Sequence, residues 1–299
     1  RSYSVTGVQT CALPIYYTTA QVGGAAGALL IIQTLDELTQ AVQSLWQMEV
    51  PFHILGSGSN ILISDQGLQA VILINRARTV KVEDHPNQEA SVWAESGANL
   101  SGIARQVALR GLSGLEWAVS IPGTLGGALY GNAGAHGSDM AHDLILAQIL
   151  HRTQGMQTWT PAEMQYQYRS SGLKRTPGQA IILAARLRLT HSSPEEVKAK
   201  MQTLIEKRRA TQPPGASLGS MFKNPPGDYA GRLIEAAGLK GYRIGGVEVS
   251  PLHANFFINN QDATAADLYR LIQHVQRTVL EQFNVQLELE VELLGNFGA

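Results

Sequence analysis

Two periods organise the apolar positions. Thr34, Asp36 and Glu37 have the order of a capping box, and Leu38, Val42, Leu45 and Trp46 then recur at helical intervals, which predicts an amphipathic helix. Short apolar runs at 52–55 and 61–63 flank Gly56-Ser57-Gly58-Ser59-Asn60, so the chain reads strand, glycine loop, strand. Residues 71–74 and 91–94 continue the strand pattern. A helix over 99–109 stops at Gly111, and alternation over 181–189 predicts the strand that closes this region.

A second region begins near 190–193. Ser193, Pro194 and Glu196 supply a cap, a first-turn proline and a capping-box acid, opening a helix to about 209 with Val197, Met201, Leu204 and Ile205 on one face. A short helix over 229–237, a strand over 256–258 and a helix opened by Thr264 and Asp267 follow; Leu268, Leu271, Ile272, Val275 and Val279 form its stripe. The end predicts one long strand, with Val285, Leu287, Leu289, Val291 and Leu293 alternating with Gln286, Glu288, Glu290 and Glu292. The pattern is α+β and divides into residues 1–15, 16–190 and 191–299, with subdomains of the middle part at about 16–75 and 76–190. Residues 5–15 read as the translation of a sequencing-adapter oligonucleotide, so 1–15 are expected to be non-native; as a signal peptide they lack a continuous apolar core.

Composition narrows the partners. Lys plus Arg at 23 against Asp plus Glu at 24 leaves a net charge of -1, so no global field recommends nucleic acid, and an anion has to be held locally. Apolar runs such as 25–32 fall far short of the ~20 residues a membrane helix needs, which predicts a cytoplasmic chain without membrane insertion. The one cysteine, Cys11, excludes an intramolecular disulfide, and the eight histidines show no HxxxH or HExxH spacing, so no metal is expected.

The densest chemistry lies in Gly219-Ser220-Met221-Phe222-Lys223-Asn224-Pro225, between Pro213, Pro214 and Gly215 on one side and Pro226 and Gly227 on the other. Hydroxyl, amine and amide on one irregular segment can donate protons and grip phosphate. The plainer reading is a turn whose Ser220 and Asn224 bond their own backbone, and local sequence alone favours it. Two glycine-rich segments, 56–60 and Pro122-Gly123-Thr124-Leu125-Gly126-Gly127 continuing to Asn132-Ala133-Gly134, can aim main-chain N–H groups at phosphate and together point to a dinucleotide. Neither is a Rossmann fingerprint: the first lacks a third glycine and runs into a strand. No Walker A loop occurs. Arg169, beside Tyr168, could pair with a carboxylate, although a solvated turn is the commoner role; Glu290 reads first as a wet-face residue, and His253 and Asn255 as turn residues or ligand contacts.

Taken in order, residues 22–24, 54–60, 121–127 with 131–135, 168–170, 219–225 and 290–291 with Gly295 resemble the UDP-N-acetylenolpyruvoylglucosamine reductases, the MurB family, over about residues 17–295. The resemblance implies a two-subdomain FAD-binding region of the vanillyl-alcohol oxidase/MurB type over 16–190, followed by an α+β substrate-binding domain over 191–299. It implies an NADPH-dependent flavoenzyme of peptidoglycan synthesis, a monomer, that converts UDP-N-acetylglucosamine enolpyruvate to UDP-N-acetylmuramate. By motif match Ser220 is the proton donor, and Arg169 and Glu290 attend the substrate carboxylate and developing enol. Gly56, Ser57, Gly58, Ser59, Asn60, Pro122, Gly123, Thr124, Gly126, Gly127, Asn132, Ala133 and Gly134 fall in the FAD segments, and Tyr168, Lys223, Asn224 and His253 among the substrate contacts.

Two features depart from the family pattern. Leu289 stands where many members have proline, so Glu288 could be mistaken for the functional carboxylate; spacing to Gly295 selects Glu290. The short stretch 189–209 resembles type II members, which lack an inserted substrate-covering element. Two other classes share parts of the pattern. An oxygen-using FAD oxidase would have the glycine segments but not 219–225, and a non-catalytic nucleotide binder has no need for Arg169, Ser220 and Glu290 together.

Overall fold

The computed structural model describes residues 8–10, 14–85, 88–260 and 262–298. The expectation of a non-native start falls partly outside them, and Cys11 wholly so. Contacts divide the chain into two compact units, residues 1–30, 57–72 and 209–299 in one and 31–56 with 73–208 in the other. The boundaries fall inside the strands Ala26–Ile32 and Leu68–Asn75 and at the first glycine loop.

The larger unit is built on a five-stranded antiparallel sheet in the order Gly155–Trp159, Leu144–His151, Ala180–Arg188, Ser91–Glu95, Val80–Glu83. Ala180–Arg188 sits at its centre, which explains a nearly continuous apolar run buried on both faces. Asn99 caps the helix Leu100–Ala108 by accepting from Gly102 N–H at 2.8 Å, so the expected helix is present with Asn99 as its cap. Leu100, Ile103, Ala104 and Val107 from this helix share one core with Leu125, Leu129, Ile149, Leu187 and Val197.

Residues 122–134 are not the continuous glycine loop that the sequence suggested. Thr124 accepts from Gly127 N–H and caps a helix, Leu125–Gly131, which buries Leu125, Ala128 and Leu129. The i, i+3, i+4 stripe was present but diluted by glycine. Asn132 ends the helix in the left-handed conformation at φ 46°.

In the other unit the sheet Arg243–Ile244, Val247–Val249, Phe257–Asn259 is antiparallel, and the helix Ala265–Phe283 packs against its first two strands. Thr264 and Asp267 form the expected capping box, while both oxygens of Asp65 accept from Ala265 and Ala266 N–H at 2.9 and 2.8 Å. Leu268, Leu271, Ile272, Val275 and Val279 are fully buried. Each contributes about 1.5–3 kcal/mol on leaving water, so the stripe fixes the helix more firmly than its caps do.

The long terminal strand is corrected. Only Glu292–Leu294 is a strand, paired parallel with Ile61–Ile63; residues 285–291 meet 221–223 through a single bridge at Phe222 and Leu289. Alternation sets which side chains point inward, and Leu287 and Val291 are indeed buried, but it does not supply a ladder partner. The partner segment is cut short by Pro225 and Pro226, which carry no N–H. Val8–Thr10 pairs antiparallel with Ala28 to Leu30 through main-chain groups.

Candidate active site

Ser220 lies on an extended segment bridged to Phe256 and is half-buried. The next residues are held tightly: Met221 N–H donates to Asn255 O at 2.9 Å, and Lys223 N–H to Glu288 O at 2.9 Å. Glu290 N–H donates to Met221 O at 2.9 Å, so the main chains bearing Ser220 and Glu290 are neighbours in one unit. The Lys223 ammonium reaches the Glu288 carboxylate at 3.2 Å. Glu288 is largely exposed and Glu290 half-buried.

Asn224 and His253 have well-defined local partners. Asn224 Oδ1 accepts from the N–H of Ala230, first residue of the helix Ala230–Ala236, at 3.1 Å, so what it has left for a ligand is its N–H2 group. His253 Nδ1 accepts from Asn255 N–H at 3.2 Å, which places the ring proton on Nε2. Burial holds the His253 pKa below its ordinary value and keeps the ring neutral.

The first glycine loop divides between the units. Ser57 to Asn60 belong with Ser220 and Glu290. Gly58 adopts φ 56°, and a Cβ there would strike Tyr17 O, so the close turn requires glycine. Asn60 Nδ2 donates to Glu290 O at 3.0 Å, and Asn60 O accepts from Glu292 N–H at 3.0 Å. That side chain therefore works on the glutamate segment, a role sequence reasoning did not find. No local signal could reveal it, because its partner lies 230 residues away.

In the larger unit Gly56 meets the second glycine segment directly: a Cβ on it would run into the Thr124 side chain. Gly123 O accepts from Leu100 N–H at 3.2 Å, tying that segment to the cap of Leu100–Ala108. Asn132 is buried, with Nδ2 donating to Asp139 Oδ2 and Gln167 O at 3.2 and 3.1 Å and Oδ1 accepting from Ala141 N–H at 3.0 Å. Its amide is thereby committed inside the protein. Gly134 lets Asp139 approach, since a Cβ would lie 2.6 Å from the Asp139 Cβ.

Arg169 sits at φ 54°, a left-handed conformation unusual for a long side chain and costing on the order of 1 kcal/mol. Nη2 donates to Gly134 O at 3.0 Å, and the guanidinium lies 5.2 Å from the centroid of the exposed Tyr168 ring. Position 169 is thus fixed against the second glycine segment. Also unanticipated is His136, whose pKa is lowered by burial and then by Lys207 and Arg208, two cations near the end of the helix Pro194–Thr211. The sequence carried only a weak sign of this cluster, the run Lys207-Arg208-Arg209.

The expected FAD fits this unit. On the helix Leu125–Gly131, Gly127 and Gly131 share a face one turn apart; an added Cβ would meet only Thr124 Oγ1 at 3.7 Å from Gly127 and nothing within 4 Å from Gly131. Beside this open main chain stand Pro122, Gly123 and Gly126, with Ala133 and Gly134 beyond the Asn132 cap. At Gly127 and Gly131 a cofactor can approach the main chain closely. Among the described residues no group of three or more His, Cys, Asp or Glu could hold a metal, and no helix is long and apolar enough to cross a membrane.

Comparison with known proteins agrees with this arrangement. Residues 26–156 match the profile of an FAD binding domain, and residues 210–294 that of the C-terminal domain of UDP-N-acetylenolpyruvoylglucosamine reductase. The reductase of Chloroflexus aggregans is 42% identical over 283 residues, 93% of this chain and 94% of that one. That of Acaryochloris marina is 42% identical over 281 residues, 94% of this chain and 90% of that one. The crystal structure of the reductase from Thermus caldophilus superposes with a TM-score of 0.81 at 35% identity, covering 95% of this chain and 98% of that one. The expected α+β fold with an FAD-binding region is therefore borne out, as is the family resemblance read from the six ordered segments. The chain belongs to the UDP-N-acetylenolpyruvoylglucosamine reductase family of FAD-dependent oxidoreductases.

Proposed function

We propose that the chain is a cytoplasmic monomer that reduces UDP-N-acetylglucosamine enolpyruvate to UDP-N-acetylmuramate in peptidoglycan synthesis, drawing its electrons from NADPH, with Ser220 as the proton donor. We read residues 1–15 as a non-native, adapter-derived segment. FAD, when bound, carries hydride from NADPH to the enolpyruvyl double bond. Main-chain groups of Gly56, Ser57, Gly58, Ser59 and Asn60, and of Pro122, Gly123, Thr124, Gly126, Gly127, Asn132, Ala133 and Gly134, hold it.

The protein's own residues manage the charge that the hydride brings. Hydride enters one alkene carbon with two electrons, and the displaced π pair comes to rest on the neighbouring carbon, conjugated with the carboxylate. The Ser220 hydroxyl gives its proton to that carbon, completing net addition of H2 across the double bond. Serine recovers its proton from Lys223 or from water. Arg169 pairs with the substrate carboxylate and Glu290 attends the developing enol. Asn224 offers its N–H2 group to the diphosphate, and Tyr168, Lys223 and His253 contact the substrate.

One observation carries this reading: the main chain that follows Ser220 is bonded to the Glu290 segment, so the two residues stand on neighbouring stretches of one unit. The test is spectral. The purified protein is expected to be yellow, to bleach with NADPH and to recover its colour without oxygen when UDP-N-acetylglucosamine enolpyruvate is added. Recovery that depends on oxygen alone would favour an oxidase and reject the assignment.

A further inference from the structure

The main chain that follows Ser220 is governed by one buried side chain. Phe222 faces Leu289 as a bridge pair whose bonds are made by its neighbours, Glu290 N–H to Met221 O and Lys223 N–H to Glu288 O. In such a pair the N–H and C=O of Phe222 itself point to the opposite side and need another partner. Asn255 supplies both. Its Oδ1 accepts from Phe222 N–H at 3.0 Å, its Nδ2 donates to Phe222 O at 2.8 Å, and its own carbonyl accepts from Met221 N–H at 2.9 Å.

Asn255 is only 3% exposed, and Phe222 is 1% exposed, so no water can stand in for either bond. A single carboxamide thus imitates a strand along one edge of the segment, while 288–290 occupies the other edge. The remaining register is fixed by the bridge from Ser220 to Phe256, the residue after Asn255. Any shift of Asn255 therefore moves the main chain carrying Ser220 against the main chain carrying Glu290.

We propose that Asn255 is the positioning residue for proton delivery, setting where the Ser220 hydroxyl stands relative to Glu290. It touches neither substrate nor cofactor and acts through Met221 and Phe222. The proposal rests on the reading of Ser220 and Glu290 given above.

Aspartate at this position makes a switchable test. Protonated, it is nearly isosteric with asparagine and has both a donor and an acceptor; ionised, it turns a second oxygen towards Phe222 O and loses that bond. Burial raises the pKa of such a carboxyl, bringing the change into a measurable range. FAD-loaded Asn255→Asp is followed by stopped flow from about pH 5 to 8, timing bleaching by NADPH and recovery of colour on adding UDP-N-acetylglucosamine enolpyruvate. Recovery is expected to slow on the order of ten- to a hundred-fold at neutral pH and to return towards wild type as pH falls, with bleaching changed less than about two-fold. Asn255→Leu is expected to be slow at every pH.

Equal slowing of bleaching and recovery, or a recovery profile that follows wild type in pH, overturns the proposal. So does a loss of recovery that merely tracks loss of thermal stability. Should the aspartate variant lose its flavin at neutral pH, Asn255→Ser, which keeps one hydroxyl for the Phe222 groups, is expected to show intermediate slowing of recovery alone; slowing of both phases again overturns it. Ser220→Ala run in parallel separates the two readings. If that variant recovers colour at wild-type speed, the assignment of Ser220 falls; if it is slow while Asn255→Asp is not, only the positioning role falls.

Discussion

Asn60 and Glu290 are joined by a 3.0 Å hydrogen bond from the asparagine side chain to the glutamate carbonyl, across 230 positions of sequence. The last residue of the first glycine loop is thus also a brace for the segment bearing Glu290. Asn60→Ala removes the brace and leaves the loop's main-chain groups in place. The variant is expected to keep its FAD, to lose about 1 kcal/mol of stability, and to slow substrate-driven recovery of colour more than bleaching by NADPH. Measuring flavin content beside both phases checks this, since a variant that sheds FAD while recovering at normal speed would return the side chain to a cofactor role.

Ser220→Ala separates the two halves of the reaction more sharply. Main-chain bonds of Met221, Lys223 and Glu290 hold this segment, so removal of the hydroxyl leaves those contacts as they are. Loss of a positioned proton donor is expected to slow reduction of the substrate by about 10²–10⁴-fold, with reduction by NADPH nearly intact. Single-turnover traces of each half decide the matter; equal losses in both would remove Ser220 from the proton-donating role.

How much of this was legible in the sequence depended on whether a residue's partner lay nearby. Thr34, Ser193 and Thr264 could be read because a cap bonds a backbone group only three residues on. The motif at 219–225 was visible as chemistry, but its turn reading could be displaced only by resemblance over the whole chain. The bonds that make it a structured segment come from Asn255 and from 288–290, and nothing local encodes them. The helix Leu125–Gly131 was missed for a different reason: three of its seven residues are glycine, which lowers intrinsic propensity, and tertiary burial of Leu125 and Leu129 overrides that cost.

Two glycines of the larger unit make opposite predictions. Gly56→Ala drives a methyl group into Thr124, a backbone-supported neighbour, and is expected to cost about 1–3 kcal/mol with a matching fall in the thermal midpoint. Gly131→Ala meets nothing within 4 Å and gains helix propensity, so the flavin-free protein is expected to become more stable by up to about 1 kcal/mol. Because the same methyl group would stand on the open face offered to the cofactor, FAD affinity is expected to fall. Thermal melts with and without FAD check both signs, and a Gly131→Ala variant that binds FAD as tightly as wild type would place the cofactor away from this helix face.

The capping box of the last helix gives a pH prediction with a definite sign. Burial pushes the Asp267 carboxyl upward, but hydrogen bonds from the Thr264 backbone and side chain, and from Arg270, outweigh it and leave the pKa below the ordinary carboxylate value. The folded state therefore prefers the ionised form. Stability from this preference is fully present above the unfolded carboxyl pKa of about 4 and is lost as pH falls through the lower, folded value. Asp267→Asn keeps an acceptor for Thr264 N–H but cannot ionise, and it gives up both the charge at the helix N-terminus and the ion pair with Arg270. It is expected to be about 1 kcal/mol less stable than wild type at neutral pH. The gap should close as the solution is acidified below pH ~4, where wild type has lost the same contribution. Urea unfolding at a series of pH values measures it directly, and a gap that stays constant into acid would show that the aspartate acts through hydrogen bonding alone.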